Sequence, residues 1–96
     1  MLTLRVFVGS DPPSGDDARA LNAVRAAAAR FGDEVAVEVV PSTSVEGRAL
    51  GVAVTPTVVD ADMVLSVGPQ LSAGRLLRYL RSRLDTPDAA GPTGQG

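Results

Sequence analysis

The sequence predicts one α/β domain with the element order β-α-β-α-β-β-α and a four-stranded mixed sheet. The chain has 96 residues, 45% of them hydrophobic, which is enough for one modest core. Alternating apolar residues indicate strands, apolar residues three and four positions apart indicate helices, and glycines or prolines separate the segments. A β-α-β unit followed by a β-β-α unit then gives the mixed sheet, with helices on its faces.

The first β-α unit occupies the N-terminal third of the chain. Residues 2–9 alternate, with leucines and valines at the even positions, and this strand ends at Gly9. Residues 10–15 form a turn with two prolines, after which Ser14 can cap a helix together with Asp17 in a variant of the capping box. The inward positions of this helix are Leu21, Val24, Ala28 and Phe31.

The next segment predicts a second strand and a short helix. Residues 35–40 form the strand, and residues 42–50 form a weak helix in which Thr43 and Glu46 can make a capping box. Gly47 lies inside this helix and lowers its propensity by about 1 kcal/mol.

A hairpin follows. Residues 52–59 form the third strand, although Pro56 interrupts it, and residues 63–67 form the fourth. Asp60 and Asp62 flank the tip of the hairpin, where we expect them to be solvated turn residues and not metal ligands, because their spacing matches no calcium loop.

A leucine-rich helix ends the folded part of the chain. Ser72 caps it. Its inward side is predicted to carry Leu76, Leu77, Leu80 and Leu84, and its outward side Arg75, Arg78, Arg81 and Arg83. The domain therefore spans residues 1–84, and residues 85–96 are predicted to be a disordered tail because of their composition.

Composition excludes several kinds of chemistry. The chain has no cysteine and no histidine, which removes thiolate nucleophiles, disulfides, and the commonest general base and metal ligand. We therefore predict no catalytic residue, no metal and no cofactor. The net charge of −2 disfavours nucleic-acid binding. The sequence shows neither a stretch of about 20 apolar residues nor a secretion signal, so we predict a cytoplasmic protein without membrane association.

Two short motifs carry a family resemblance: Asp11-Pro12-Pro13-Ser14 between the first strand and its helix, and Val54-Thr55-Pro56-Thr57 before the hairpin. With the element order, they resemble the thioredoxin-like superfamily, in which the first place holds a C-x-x-C dithiol and the second a cis-proline loop. Here aspartate and serine occupy the two cysteine positions. Within the superfamily the chain is similar to the KaiB clock proteins and to the KaiB-like sensor domain of SasA-type histidine kinases.

The resemblance implies a protein-binding module without catalysis, whose bacterial partner is an ATPase ring or a signalling kinase. The chain departs from KaiB itself, because its fourth strand lacks the proline-rich, basic segment that KaiB has after its third strand. This departure argues against a fold switch and an ATPase-ring partner. The predicted partner surface consists of Asp11, Pro12, Pro13, Ser14, Thr55 and Pro56, with turn and helix-cap chemistry as the alternative role of Asp11 and Ser14.

Two alternatives stay open at this stage. The spacing of residues 11–14 is also similar to the C-P-x-C turn of small thioredoxin-like disulfide proteins. A descendant that lost its dithiol would bind a peptide or a small thiol ligand without redox catalysis. The other alternative is a structural subunit that forms a homo-oligomer through an exposed strand.

Overall fold

The computed structural model describes residues 2–61, 63–69 and 71–85. In these ranges four strands and three α-helices follow one another in the predicted order. The elements are β1 Leu2–Val8, α1 Gly15–Ala29, a 3-10 helix Gly32–Glu34, β2 Val35–Pro41, α2 Val45–Ala49, β3 Thr57–Asp60, β4 Met63–Val67 and α3 Ala73–Asp85. No helix in the described ranges is both long enough and apolar enough to cross a membrane.

The four strands form one mixed sheet in the order β2-β1-β3-β4, which confirms the predicted sheet type. β1 and β2 are parallel, and β3 is antiparallel to both of its neighbours. The α1 crossover joins the parallel pair, as a parallel connection requires. Along the hairpin, Val58 pairs with Ser66 but Val59 pairs with Val64, so Leu65 is an extra residue that makes a bulge.

Each face of the sheet has its own core. The larger core joins α1 and α3 to the face that carries the even-numbered residues of β1, and Leu4, Val24 and Leu80 are completely buried in it. The smaller core lies on the opposite face, where Phe7 and Val59 are completely buried under the segment that follows α2.

The third strand is shorter than predicted. Residues 52–56 are not strand, and β3 begins at Thr57, which pairs with Phe7. Proline has no N–H to donate to a ladder, so pairing can start only after Pro56. The fourth strand has the predicted bounds.

The predicted capping box of α2 is wrong. The helix begins after Ser44, whose Oγ accepts a hydrogen bond from the backbone N–H of Gly47 at 3.1 Å. Gly47 is buried, and a Cβ added there would lie 2.3 Å from the carbonyl oxygen of Ser42. The glycine that weakens the helix in isolation is therefore required by its packing.

The terminal helix largely follows the prediction. The Ser72 Oγ accepts a hydrogen bond from the backbone N–H of Arg75 at 3.3 Å, and Leu76 and Leu80 are buried. α3 runs to Asp85, one residue beyond the predicted domain end. The rest of the predicted disordered tail, residues 86–96, lies outside the described part of the chain.

Candidate functional site

One buried carboxylate, that of Asp17 in the first turn of α1, connects the residue after β1 to the loop that carries the second motif. Its Oδ2 accepts hydrogen bonds from the backbone N–H of Gly9 at 2.9 Å and from the Thr55 hydroxyl at 3.3 Å. Asp17 is only 9% exposed, so these two donors satisfy a carboxylate oxygen that water barely reaches. The end of β1, the start of α1 and the loop before β3 are thereby joined at one point.

This contact corrects the predicted role of Asp17. Ser14 is the N-cap residue of α1, but its side chain makes no capping hydrogen bond. The Ser14 carbonyl accepts the N–H of Asp17 at 3.1 Å, while the Asp17 carboxylate turns inward. A capping box needs the acidic side chain to reach back to the N-cap backbone, and here that side chain bonds to Gly9 and Thr55 instead.

Close packing surrounds the contact. A Cβ added to Gly9 would lie 3.1 Å from the Thr55 Oγ1 and 3.6 Å from the Asp17 Oδ2. The first distance is tighter than an ordinary van der Waals contact. Gly9 is therefore the residue that lets the end of β1 approach the loop before β3.

Residues 54–57 are held at both ends. The Thr55–Pro56 bond is cis, which is the arrangement that the resemblance implied. Pro56 is completely buried, and its carbonyl accepts the N–H of Gly68 at 2.7 Å. The Thr57 hydroxyl donates to the Val54 carbonyl at 2.5 Å. The loop is thus attached to α1, to the end of β4 and to itself.

Residues 11–14 lie at the surface. Asp11, Pro12 and Ser14 are exposed and Pro13 is half-buried. The Asp11–Pro12 bond is also cis, which the sequence analysis did not predict. Among the described residues no hydrogen bond or ion pair joins this segment directly to residues 54–57. The two motifs are connected through Gly9 and Asp17.

An apolar surface adjoins the loop before β3. Val54, Val64 and Val67 are each about half exposed, at 49%, 47% and 55%. With Val52 and Leu50 they line a cavity of about 160 Å³ between residues 50–54 and β4. This cavity lies on the face of the sheet that carries the smaller core, because Leu50 and Val52 belong to both.

A second polar cluster joins the hairpin to α3. Asp60 accepts hydrogen bonds from the Tyr79 hydroxyl and, at 3.1 Å, from the Arg83 Nε. Burial raises the pKa of the Tyr79 phenol above its usual value, and the hydrogen bond to the Asp60 carboxylate raises it further. Arg83 opposes this rise, because its positive charge favours the phenolate.

This cluster overturns the prediction that Asp60 is a solvated turn residue. Asp60 is 6% exposed, belongs to β3 and pairs with Leu4 of β1. Its side chain therefore points to the face covered by α3, where a buried carboxylate needs partners. Arg83, predicted to lie outward, supplies one of them. In the described ranges no group of three or more acidic residues is placed to hold a metal ion.

Comparisons with known protein families, with curated proteins and with solved structures find no match to this chain.

The sequence carries a signal for the inward position of Asp17. Asp17 lies four residues before Leu21 and seven before Val24, so it shares their face of α1. A carboxylate at the end of a buried helix face predicts a buried hydrogen-bond partner. The partners themselves, Gly9 and Thr55, have no such signal, because Thr55 is 38 residues distant.

Proposed function

We propose that this protein is a redox-inactive interaction module of the thioredoxin-like class, related in kind to KaiB-like domains. The strand order, the antiparallel β3, the packing of α1 and α3 on one face and the cis-proline before β3 support this assignment. Its partner binds the cis-proline face, defined here as residues 9–14 and 54–57 with the neighbouring Val64 and Val67. The resemblance supports a kinase or an ATPase as the partner class, and the departure from KaiB favours the kinase. Either partner fits a signalling role in the cytoplasm.

The observation that carries this proposal is the immobilised, partly apolar loop before β3. Asp17 accepts a hydrogen bond from the Thr55 hydroxyl, and the N–H of Gly68 donates one to the Pro56 carbonyl. Val54 is 49% exposed and lines the cavity beside the loop. A surface fixed before binding loses little conformational entropy when a partner docks. Exposed apolar patches of this kind mark interaction sites in soluble domains.

The same geometry disfavours the small-thiol alternative. Asp11, Asp16 and Asp17 place three carboxyl groups at or near the start of α1, and the Asp17 carboxylate already lies between the two loops. An anionic thiol ligand would be repelled by these charges. A protein partner can instead use the apolar residues and the exposed backbone of the loop. Among the described residues no hydrogen bond uses the backbone N–H of Thr55, which leaves it available for strand addition.

Val54→Asp tests the face, with Val45→Asp as the matched control. Both valines are exposed, at 49% and 81%, but Val45 lies on α2. Affinity capture from native lysate would identify proteins retained by the wild type, and titration calorimetry with the purified partner would measure affinity. We expect Val54→Asp to weaken binding at least about tenfold, since it buries a charge at an apolar contact, and Val45→Asp to leave it unchanged.

Three results would contradict the proposal. One is the failure of the wild type to retain any protein specifically. Another is full affinity in the Val54→Asp variant. The third is equal loss in both variants, which would show that the contact is not localised at the loop. Circular dichroism of both variants establishes that they are folded before binding is compared.

A further inference from the structure

β4 is an edge strand whose side chains do not block its outer side, although the bulge at Leu65 interrupts its ladder with β3. In the described sheet it pairs only with β3, so its outward backbone N–H and C=O groups have no ladder partner. Met63–Val67 contains neither a charged residue nor a proline, the two side-chain devices that commonly block strand addition. The bulge residue Leu65 lies on the side of α3, where it packs against the larger core.

A cavity of about 190 Å³ opens between this edge and the first turns of α3. Its apolar wall consists of Leu65, Leu71 and Leu76, and Ser66 and Arg75 contribute polar groups. We call it the β4–α3 groove. A cavity of about 150 Å³ accommodates benzene, so the groove has room for one aliphatic side chain.

The groove carries a positive charge without a counter-ion. Arg75 is exposed, and its guanidinium makes no ion pair or hydrogen bond with any described residue. Arg78 and Arg81 follow at three-residue spacing, are also exposed, and make no ion pair or hydrogen bond with any residue whose side chain the structure describes. Three like charges on neighbouring turns create a local positive field on a chain whose net charge is −2.

From these three observations we infer that the β4–α3 groove binds an extended, acidic segment of a partner protein. The segment adds to β4 as a fifth strand, inserts one aliphatic side chain between the leucines, and places a carboxylate next to Arg75. Backbone pairing supplies affinity in this mode, while the cavity and the arginine supply specificity. The site shares β4 with the cis-proline face, but Leu65 and Ser66 line a different cavity from Val64 and Val67. The inference does not depend on the function proposed above.

The positive charge of the β4–α3 groove favours an acidic segment over a second copy of the chain. Arg75 lines the same cavity as Leu65 and Ser66, so it lies beside the middle of β4. Two-fold pairing of β4 with β4 would bring two unpaired Arg75 guanidinium groups to one short edge, where like charges repel. An acidic peptide converts the same charges into attraction.

Fluorescence anisotropy with a defined probe tests the inference on the full chain. The probe is a fluorescein-labelled, end-blocked peptide, Thr-Glu-Val-Leu-Val-Glu-Thr-Thr, in which the leucine and both glutamates share one face of the extended strand. Its partner peptide has lysines in place of both glutamates. A third peptide carries N-methyl groups on its two valines. We expect saturable binding of the acidic peptide with a dissociation constant of about 100 μM or tighter, and at least about fivefold weaker binding of the other two.

Arg75→Gln removes the charge without touching the core, and Arg25→Gln on α1 is the matched control, because both arginines are exposed. We expect the first variant to weaken the acidic peptide at least about fivefold and the second to leave it unchanged. Amide chemical-shift changes on binding should concentrate in β4 and the first half of α3.

Several results would overturn the inference. One is the absence of saturable binding of the acidic peptide up to about 1 mM, and another is that the lysine or N-methylated peptide binds as tightly as the acidic one. A third is that Arg75→Gln and Arg25→Gln weaken binding equally. The last is that poly-glutamate, which has no aliphatic side chain to insert, competes as well as the unlabelled acidic peptide. A concentration-dependent dimer that loses its β4 shifts on dilution would assign the edge to a second copy. Shifts confined to residues 54–57 would reject this groove without changing the outcome of the Val54→Asp experiment.

Discussion

The Oδ2 of Asp17 lies 2.9 Å from the backbone nitrogen of Gly9, so the first turn of α1 is attached to the end of β1. The same oxygen accepts the Thr55 hydroxyl, which brings the loop before β3 to that point. One side chain thus connects three segments that are distant in the sequence. The contact positions Thr55 of the cis-proline face against α1.

Asp17→Ala should lower the free energy of unfolding by about 1–3 kcal/mol, because it leaves the part-buried N–H of Gly9 without its acceptor. Asp16→Ala is the control. Asp16 is exposed and pairs only with Arg19 on the surface of α1, so its loss should cost less than about 1 kcal/mol. Urea unfolding followed by circular dichroism measures both. Equal destabilisation by the two variants would show that the contact adds nothing to stability.

Gly47→Ala should destabilise the fold by at least about 2 kcal/mol, although alanine is the better helix former. The added Cβ would lie 2.3 Å from the Ser42 carbonyl oxygen, and backbone cannot move aside as a side chain can. Gly74→Ala in α3 is the comparison, because its Cβ would meet only the Ser72 Oγ at 3.9 Å.

Gly74→Ala should be neutral or stabilise the protein by up to about 1 kcal/mol. Because the two variants should change the free energy of unfolding in opposite directions, they separate the effect of packing at Gly47 from that of helix propensity. A stabilising Gly47→Ala would mean that α2 does not pack against Ser42 in solution. Thermal and urea unfolding of the two variants under the same conditions decide between these outcomes.

Tyr79 should ionise above the usual tyrosine pKa of 10.0 in the folded protein, because burial and then the Asp60 hydrogen bond favour its neutral form. It is the only tyrosine in the chain, so ultraviolet absorbance reports its titration without interference. Asp60→Asn should bring the midpoint closer to 10.0, and Arg83→Gln should move it further up, since Arg83 favours the phenolate. A midpoint at or below the usual value in the wild type would contradict the cluster.

The same shift makes stability depend on pH in the alkaline range. The pKa of Tyr79 is higher in the folded than in the unfolded chain, so its contribution is fully present below about pH 10 and is lost as pH rises through the folded pKa. Tyr79→Phe should therefore remove this part of the alkaline decline. At neutral pH the variant should lose about 1–2 kcal/mol with the hydrogen bond to Asp60. An unchanged alkaline profile in Tyr79→Phe would assign the decline to other groups.

Phe7→Ala should cost about 3–5 kcal/mol, because Phe7 is completely buried in the smaller core and its removal leaves a cavity. Phe31→Ala is the comparison. Phe31 is half-buried at the margin of the larger core, where solvent can fill the space, so its loss should cost clearly less. If urea unfolding shows that the two variants are equally stable, the residues around Phe7 do not form a buried core in solution.

Local patterns were enough to predict the order of elements and most of their bounds. Alternation in residues 2–8 and 63–67 shows directly in the sequence, as does the leucine spacing of α3. Leu76 and Leu80 of α3 are buried, as the leucine spacing predicts. These features depend on neighbours within a few residues, which is the range over which sequence patterns carry information.

The errors at Asp17 and Asp60 come from contacts between distant segments, and the one at Gly47 comes from a close approach within five residues. The sequence predicts a capping role for Asp17, but its side chain bonds to Gly9 and Thr55. It also predicts that Gly47 weakens α2, whereas a Cβ at this position would meet the carbonyl oxygen of Ser42. Asp60 looked like a solvated turn residue until Tyr79 and Arg83 of α3 reached it.

The sequence by itself determined the class of the fold, the absence of thiol and imidazole chemistry, and the residues available at the two loops. Only the tertiary structure decided which carboxylates are buried, because burial depends on the element packed against a residue. It also decided that β4 is left at an edge beside an unpaired Arg75, since strand order follows from how all four strands pair and not from any one of them.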